Sequence, residues 1–277
     1  MPALSIQSTV KIADGPKVPK GPTVSEVIGI PGTDTGGSTP PVTTKPDLTT
    51  WDFYAQFDEG SGTTAANSGT VGAAANGTLV AHSGGALPTW GTENGLDHLS
   101  FNGGKVQCGT SVRPTSAFTA LAMVKPRSLG GSGLYPGLVS NFEVINTNDR
   151  NGFDLVLQYS TQGVWGYAAN GAQISATAIA PLSGLPQLVV DEWFLFGVAY
   201  NGSVLELTLN GAQIAQTTSG LPASIGYFSG TQLTIGFGSD QNVGLNYGLD
   251  GLIEWAAVDN TYKTPADILA IWDSTGH

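Results

Sequence analysis

Residues Asp191 to Gly211 read D-E-W-F-L-F-G-V-A-Y-N-G-S-V-L-E-L-T-L-N-G, and this stretch decides the fold class. Apolar runs of strand length flank Asn201-Gly202, and the second run ends in another Asn-Gly. Asn and Gly tolerate the positive φ angles of a type I′ turn, so the pair is a strong hairpin signal. In the first run Phe194, Phe196, Val198 and Tyr200 share one face, and Trp193, Leu195 and Ala199 share the other. Both faces are apolar, so the strand is expected to be covered on both sides. In the second run Leu205, Leu207 and Leu209 alternate with Glu206 and Thr208, the period of a pleated strand. The reading is a central hairpin of a β-sandwich.

The composition agrees. Glycine is abundant, with 39 residues, and charged residues make up 11% of the chain, the profile of short strands joined by tight turns. A net charge of -11 without a Lys/Arg cluster excludes a nucleic-acid partner, because nothing displaces counterions from phosphates. No apolar run reaches the roughly 18 residues that a membrane span needs. The one cysteine, Cys108, excludes an intrachain disulfide and reads as a small packing residue rather than a nucleophile. Met1 to Gly15 shows no basic segment followed by an apolar run, so no secretory signal is read there.

Residues 1–47 differ from the rest, with Pro16, Pro19, Pro22, Pro31, Pro40, Pro41 and Pro46 spaced among Gly, Thr and Ser. Proline at that density forbids a helix and breaks sheet pairing. The segment is expected to be an extended arm and linker, and residues 48–277 the sandwich. Candidate strands fall at 51–57, 97–101, 117–124, 137–142, 153–159, 163–169, 192–200, 203–209, 232–238 and 251–258. Without helical crossovers between them, the sheets are expected to be antiparallel. A single helix is predicted near the end, capped by Thr264, with Pro265 in its first turn and Asp267 against the dipole.

In this order, the pieces of residues 51–273 resemble the laminin-G-like, concanavalin A-like jelly-roll family. Phe57 to Gly62 is similar to its opening F-D-E-x-S-G, and Asn76 to Leu79 to its N-G-T-L. Leu99 to Gly103 and Phe118 to Pro126 follow as L-x-F-x-G and F-T-x-x-x-W-V-K-P, with Met123 where Trp is usual. Trp193 to Gly211 matches the central hairpin, and Gly251 to Glu254 with the closing helix matches its G-x-I-D-E end, where Glu254-Trp255 replaces Asp-Glu. The resemblance implies an all-β antiparallel jelly-roll sandwich. It leaves function open, since the fold hosts lectin-like, adhesive, enzymatic and structural proteins.

The residues bear on three kinds of site. Glycoside hydrolysis needs two carboxyls flanking a scissile bond. Asp191-Glu192 and Asp58-Glu59 are adjacent in sequence and would point to opposite faces, while Glu206 and Glu254 stand alone. No nucleophile with a His partner is visible either, so a non-enzyme is expected. For calcium, the candidate cofactor, the resemblance places oxygen ligands at Asp58, Asn102, Asp250 and Glu254, with Asn146 to Asn151 as a second loop. The same residue types also build turns. For glycans, the candidate platform residues are Trp165 and Tyr167 on one strand face, with Tyr135 and Tyr247 in Gly-rich loops.

The expected function is that of a non-enzymatic bacteriophage virion protein at the virion surface, assembled in the host cytoplasm. It would be a capsid decoration or head-fibre protein, anchored to a major capsid or other virion protein through residues 1–47 and displaying a glycan-binding sandwich. A homo-oligomer or a place in a large assembly is expected with it. The alternatives are a secreted bacterial carbohydrate-binding or adhesive module and a phage tail or receptor-binding component.

Overall fold

The structure, a computed structural model, describes residues 43–82, 85–128, 136–146, 149–158, 163–171, 175–181, 188–238 and 248–277. Most of the expected arm, residues 1–42, lies outside the described residues. In chain order the strands are β1 (Phe53–Ala55), β2 (Thr64–Ala65), β3 (Gly77–Val80), β4 (Thr89–Glu93), β5 (Leu96–Asn102), β6 (Lys105–Gln107), β7 (Phe118–Pro126) and β8 (Gly137–Ser140). They continue as β9 (Glu143–Asn146), β10 (Asp149–Gln158), β11 (Gly163–Gly171), β12 (Ser175–Pro181), β13 (Phe194–Tyr200), β14 (Leu205–Leu209), β15 (Ala212–Thr217), β16 (Thr234–Ile235) and β17 (Asp250–Asp259). Helix α1 (Pro265–Thr275) closes the order.

The strands form two antiparallel sheets packed as a sandwich. One runs β15-β14-β13-β7-β17-β5-β4, with β1 on β17; the other runs β12-β11-β10-β8-β16-β6-β3-β2, with β9 on β10. The decisive hairpin is interior to the first sheet, between the edge strand β15 and β7, and its two apolar faces are both covered. Phe196, Val198, Tyr200 and the leucines of β14 point between the sheets, where Phe118 stacks on Phe153 at 4.5 Å between ring centroids. Leu195 points outward into a second apolar cluster with Trp51, Tyr54, Met123, Trp255 and Ile268. That cluster exists because α1 lies against the outside of the sheet, as its amphipathic face requires. Glu206 and Thr208, on the face opposite the leucines of β14, are buried on this side, and the Tyr262 hydroxyl donates to Glu206.

The turn chemistry is distributed differently from the expectation. Asn210 and Gly211 both have positive φ, 51° and 76°, and join β14 to β15 in two residues. At the first Asn-Gly, Gly202 has φ 82° and Asn201 lies outside the positive-φ set. Asn201 instead accepts from the amides of Ser203 and Val204 through its side chain, which makes a longer loop. Helix α1 follows its local signals: the Thr264 side chain accepts from the Asp267 amide, the Asp267 carboxylate accepts from Thr264, and Gly276 ends the helix at φ 71°.

Residues 44–46 lie on the sandwich. The Thr44 amide donates to the Thr275 carbonyl at 3.0 Å, and the Tyr54 hydroxyl donates to the Pro46 carbonyl at 2.6 Å. Lys45 Nζ reaches the Gln56 carbonyl at 2.5 Å.

Candidate functional site

Trp165 and Tyr167 alternate with Val164, Gly166 and Ala168 along β11. Pleating sends the small residues to the core and both rings to the outer face. Gly166 is what lets β11 lie this close to the opposite sheet: a side-chain carbon there would meet Val198 at 2.8 Å and Leu207 at 2.9 Å. The two outward rings lie 5.8 Å apart, and Phe142 approaches Tyr167 at 5.6 Å. Phe142 comes over the strand because Gly152 allows it. Gly152 has φ 99°, and a β-carbon there would stand 1.7 Å from the Asn141 carbonyl oxygen.

The registers place two parallel rows on this outer face. Ile179 on β12 pairs with Trp165, and Trp165 pairs with Val156 on β10, an apolar row whose end, Ile179, is 46% exposed. The next row is polar. Thr177 pairs with Tyr167, Tyr167 with Asp154, Asp154 with Ser140, and Ser140 with Thr234. Residues two apart on a strand are separated by about 6–7 Å, so the rows lie side by side.

Asp154 was missed by the sequence reading. On an alternating strand it looks like an ordinary solvent-facing carboxylate, yet only 6% of it is exposed. Burial raises its carboxyl from 3.8 to about 8, although Ser140 and the Leu155 amide donate to it. Its Oδ1 is buried with no hydrogen-bond partner. Tyr135 and Tyr247, the other candidate platform residues, lie outside the described residues.

Of the residues proposed for calcium, only Asn102 and Asp250 are brought together. Asn102 and Asp250 pair across β5 and β17, and Asp58 is exposed in the loop after β1. Glu254 is the extra residue of a β-bulge between Ile253 and Trp255, fully buried, and its Oε2 lies 2.8 Å from His277 Nε2. Among the described residues no three His, Cys, Asp or Glu side chains gather where they could share an ion. In the second loop Asn151 is used structurally, accepting from the Gly171 amide at 2.7 Å. Cys108 is buried in the core, and burial pushes its thiol up to about 12. Among the described residues no helix is long and apolar enough to cross a membrane.

No family model matches this sequence, and no curated protein matches it. Among solved structures the chain is similar to domain 4 of AbnA, a GH43 extracellular arabinanase from Geobacillus stearothermophilus, in complex with arabinotriose. The identity is 13% and the TM-score 0.59, over 80% of this chain and 98% of that one. It is similar also to the ligand-binding domain of botulinum neurotoxin serotype D in complex with N-acetylneuraminic acid, with 12% identity, a TM-score of 0.53, and 81% and 50% coverage. The binding domain of botulinum neurotoxin DC in complex with rat synaptotagmin II matches at 8% identity and 0.53, over 82% and 52%. The chain thus spans about half the length of the neurotoxin domains and nearly all of the arabinanase domain. At these identities the likeness is one of fold, the β-sandwich.

Proposed function

We propose that the sandwich is a non-catalytic glycan-recognition module whose binding face is the outer surface of β10, β11 and β12. The observation that carries this reading is the outward pair Trp165 and Tyr167, set beside the exposed Ile179 and a polar row. A sugar ring has an apolar C–H face and a polar hydroxyl rim, and adjacent apolar and polar rows complement both. Structural neighbours solved with arabinotriose and with N-acetylneuraminic acid support the same reading. Two of the carboxyls considered for catalysis are engaged elsewhere: Glu254 with His277, and Glu206 with Tyr262.

A glycan array followed by calorimetry tests this. Trp165→Ala and Tyr167→Ala are each expected to weaken binding roughly tenfold to a hundredfold, as loss of a ring's buried apolar area should. Undiminished binding in both variants would place the site elsewhere, and turnover of a bound oligosaccharide would make the protein an enzyme.

For the biological setting, we propose that residues 1–42 tether the module to a bacteriophage particle, as a capsid decoration or head-fibre protein at the virion surface. The Pro/Gly-rich composition of that segment supports an extended arm that orders on its partner. The laminin-G-like resemblance suits a displayed domain of this kind. A secreted carbohydrate-binding module is the second reading, favoured by the likeness to a domain of an extracellular arabinanase. Cosedimentation with purified virions separates the two. The full chain should pellet with particles and residues 43–277 should stay in solution; a full chain that stays in solution would favour the secreted module.

A further inference from the structure

We propose that Asp154 selects the ligand of this face: its Oδ1 accepts a hydrogen bond from a sugar hydroxyl, which admits neutral glycans and turns away acidic ones. The inference rests on the glycan reading above and names the chemistry that the aromatic pair alone leaves open.

Position comes first. Asp154 is the direct cross-strand partner of Tyr167 and shares its outer face, one strand from Trp165. It lies beneath this face beside Tyr167, only 6% exposed, so a hydroxyl of a bound ring reaches it by insertion below the surface. Satisfaction comes second. Ser140 and the Leu155 amide donate to the carboxyl, yet Oδ1 is left as a buried acceptor without a donor. Native structures leave few such atoms, and one on a strand that lines a candidate binding face has a ready use. A ligand hydroxyl supplies the missing donor, and a hydrogen bond to an ionised acceptor is among the stronger ones.

Charge decides the class of ligand. The chain carries a net charge of -11, and among the described residues no cation contributes to the environment of the Asp154 carboxyl. Once the carboxyl has ionised, an acidic sugar would bring a second negative charge to it, so the discrimination belongs to the upper end of the pH range. A neutral sugar brings only donors and acceptors. The cross-strand neighbours of Asp154 are Ser140 on β8 and Tyr167 on β11, and Arg150 lies four residues before it on the same face of β10. A donating hydroxyl favours the carboxylate form, so binding should strengthen as the pH rises through the range where the carboxyl ionises.

The test is calorimetry on the full chain with arabinotriose, xylotriose and maltotriose as neutral probes and N-acetylneuraminic acid as the acidic one. At least one neutral trisaccharide should bind the native protein, more tightly at higher pH, and the acidic sugar should not. Asp154→Asn, which keeps the shape of the side chain, should weaken the neutral probe roughly tenfold and flatten the pH profile. The native pH profile requires no variant, so the proposal stays exposed even if the substitution perturbs folding. Neutral binding that Trp165→Ala abolishes but Asp154→Asn leaves unchanged, pH profile included, overturns the role of Asp154 and spares the glycan reading. Binding of none of the sugars overturns both. Preference for N-acetylneuraminic acid overturns the selection of neutral ligands.

Discussion

Lowering the pH from about 8 to about 5 should stabilise this protein through Asp154, and Asp154→Asn should remove that contribution. The sign follows from where the proton sits. Burial raises the carboxyl from 3.8 in the unfolded chain to about 8 in the folded one. Between those values the native state holds a proton that the unfolded state has released, so stability falls as the pH rises. The slope is about 1.4 kcal/mol per pH unit for one fully shifted group, which across this window amounts to several kcal/mol as an order of magnitude. The contribution is complete below the unfolded value and is lost as the pH climbs through the folded one.

Two other sets of groups work against it and can be separated. Asp47 and Asp267 are held low by hydrogen bonds from Thr49 and Thr264, so their contributions are lost only in more acidic solution. His82 and His98 are held below the ordinary imidazole range by burial, so they cost stability as the pH falls. Subtracting Asp154→Asn from the native protein in urea titrations at each pH isolates the aspartate. Parallel stability curves for the two proteins would show that this carboxyl is hydrated and ionised in the folded state.

Trp255→Ala should cost about 3–5 kcal/mol, the range for deleting a buried large aromatic side chain. Trp255 is fully buried and meets Tyr54 edge-on at 6.2 Å. Around them, Leu48 and Trp51 come from the segment before β1, Met123 and Leu195 from the sheet, and Ile268 from α1. The indole therefore holds three separate parts of the chain together outside the sandwich proper. Its loss should lower the melting temperature and expose the segment around Thr44 and the end of α1 to proteolysis, because these are joined by the Thr44 to Thr275 hydrogen bond. A variant that melts like the native protein would mean that the sheets alone carry the stability and the outer cluster adds little.

This cluster also joins residues far apart in the chain. Met123 and Trp255, more than a hundred positions apart, are cross-strand partners in β7 and β17 and share the outer cluster.

What the chain determined locally was legible without a structure. Period-two alternation located the central strands, because a strand covered on both faces must be apolar on both and its boundaries are set by turn residues a few positions away. The capping box of α1 was readable for the same reason, since Thr264 and Asp267 satisfy each other across three residues. The edge strands β2, β4, β12 and β15 escaped, because an edge with one neighbour and partial exposure needs no strict alternation, and the interior strands β3 and β6 escaped because three or four residues are too few to show a period. The two Asn-Gly pairs were indistinguishable in sequence and differ in conformation, since the loop at Asn201 closes through its own side chain. The site divides in the same way. Trp165 and Tyr167 could be placed on one face from spacing alone. Only tertiary structure could bury Asp154, since that depends on strands β8 and β11 meeting β10 in a particular register. A residue's periodicity says which way it points, whereas its surroundings are set by residues far away in the chain.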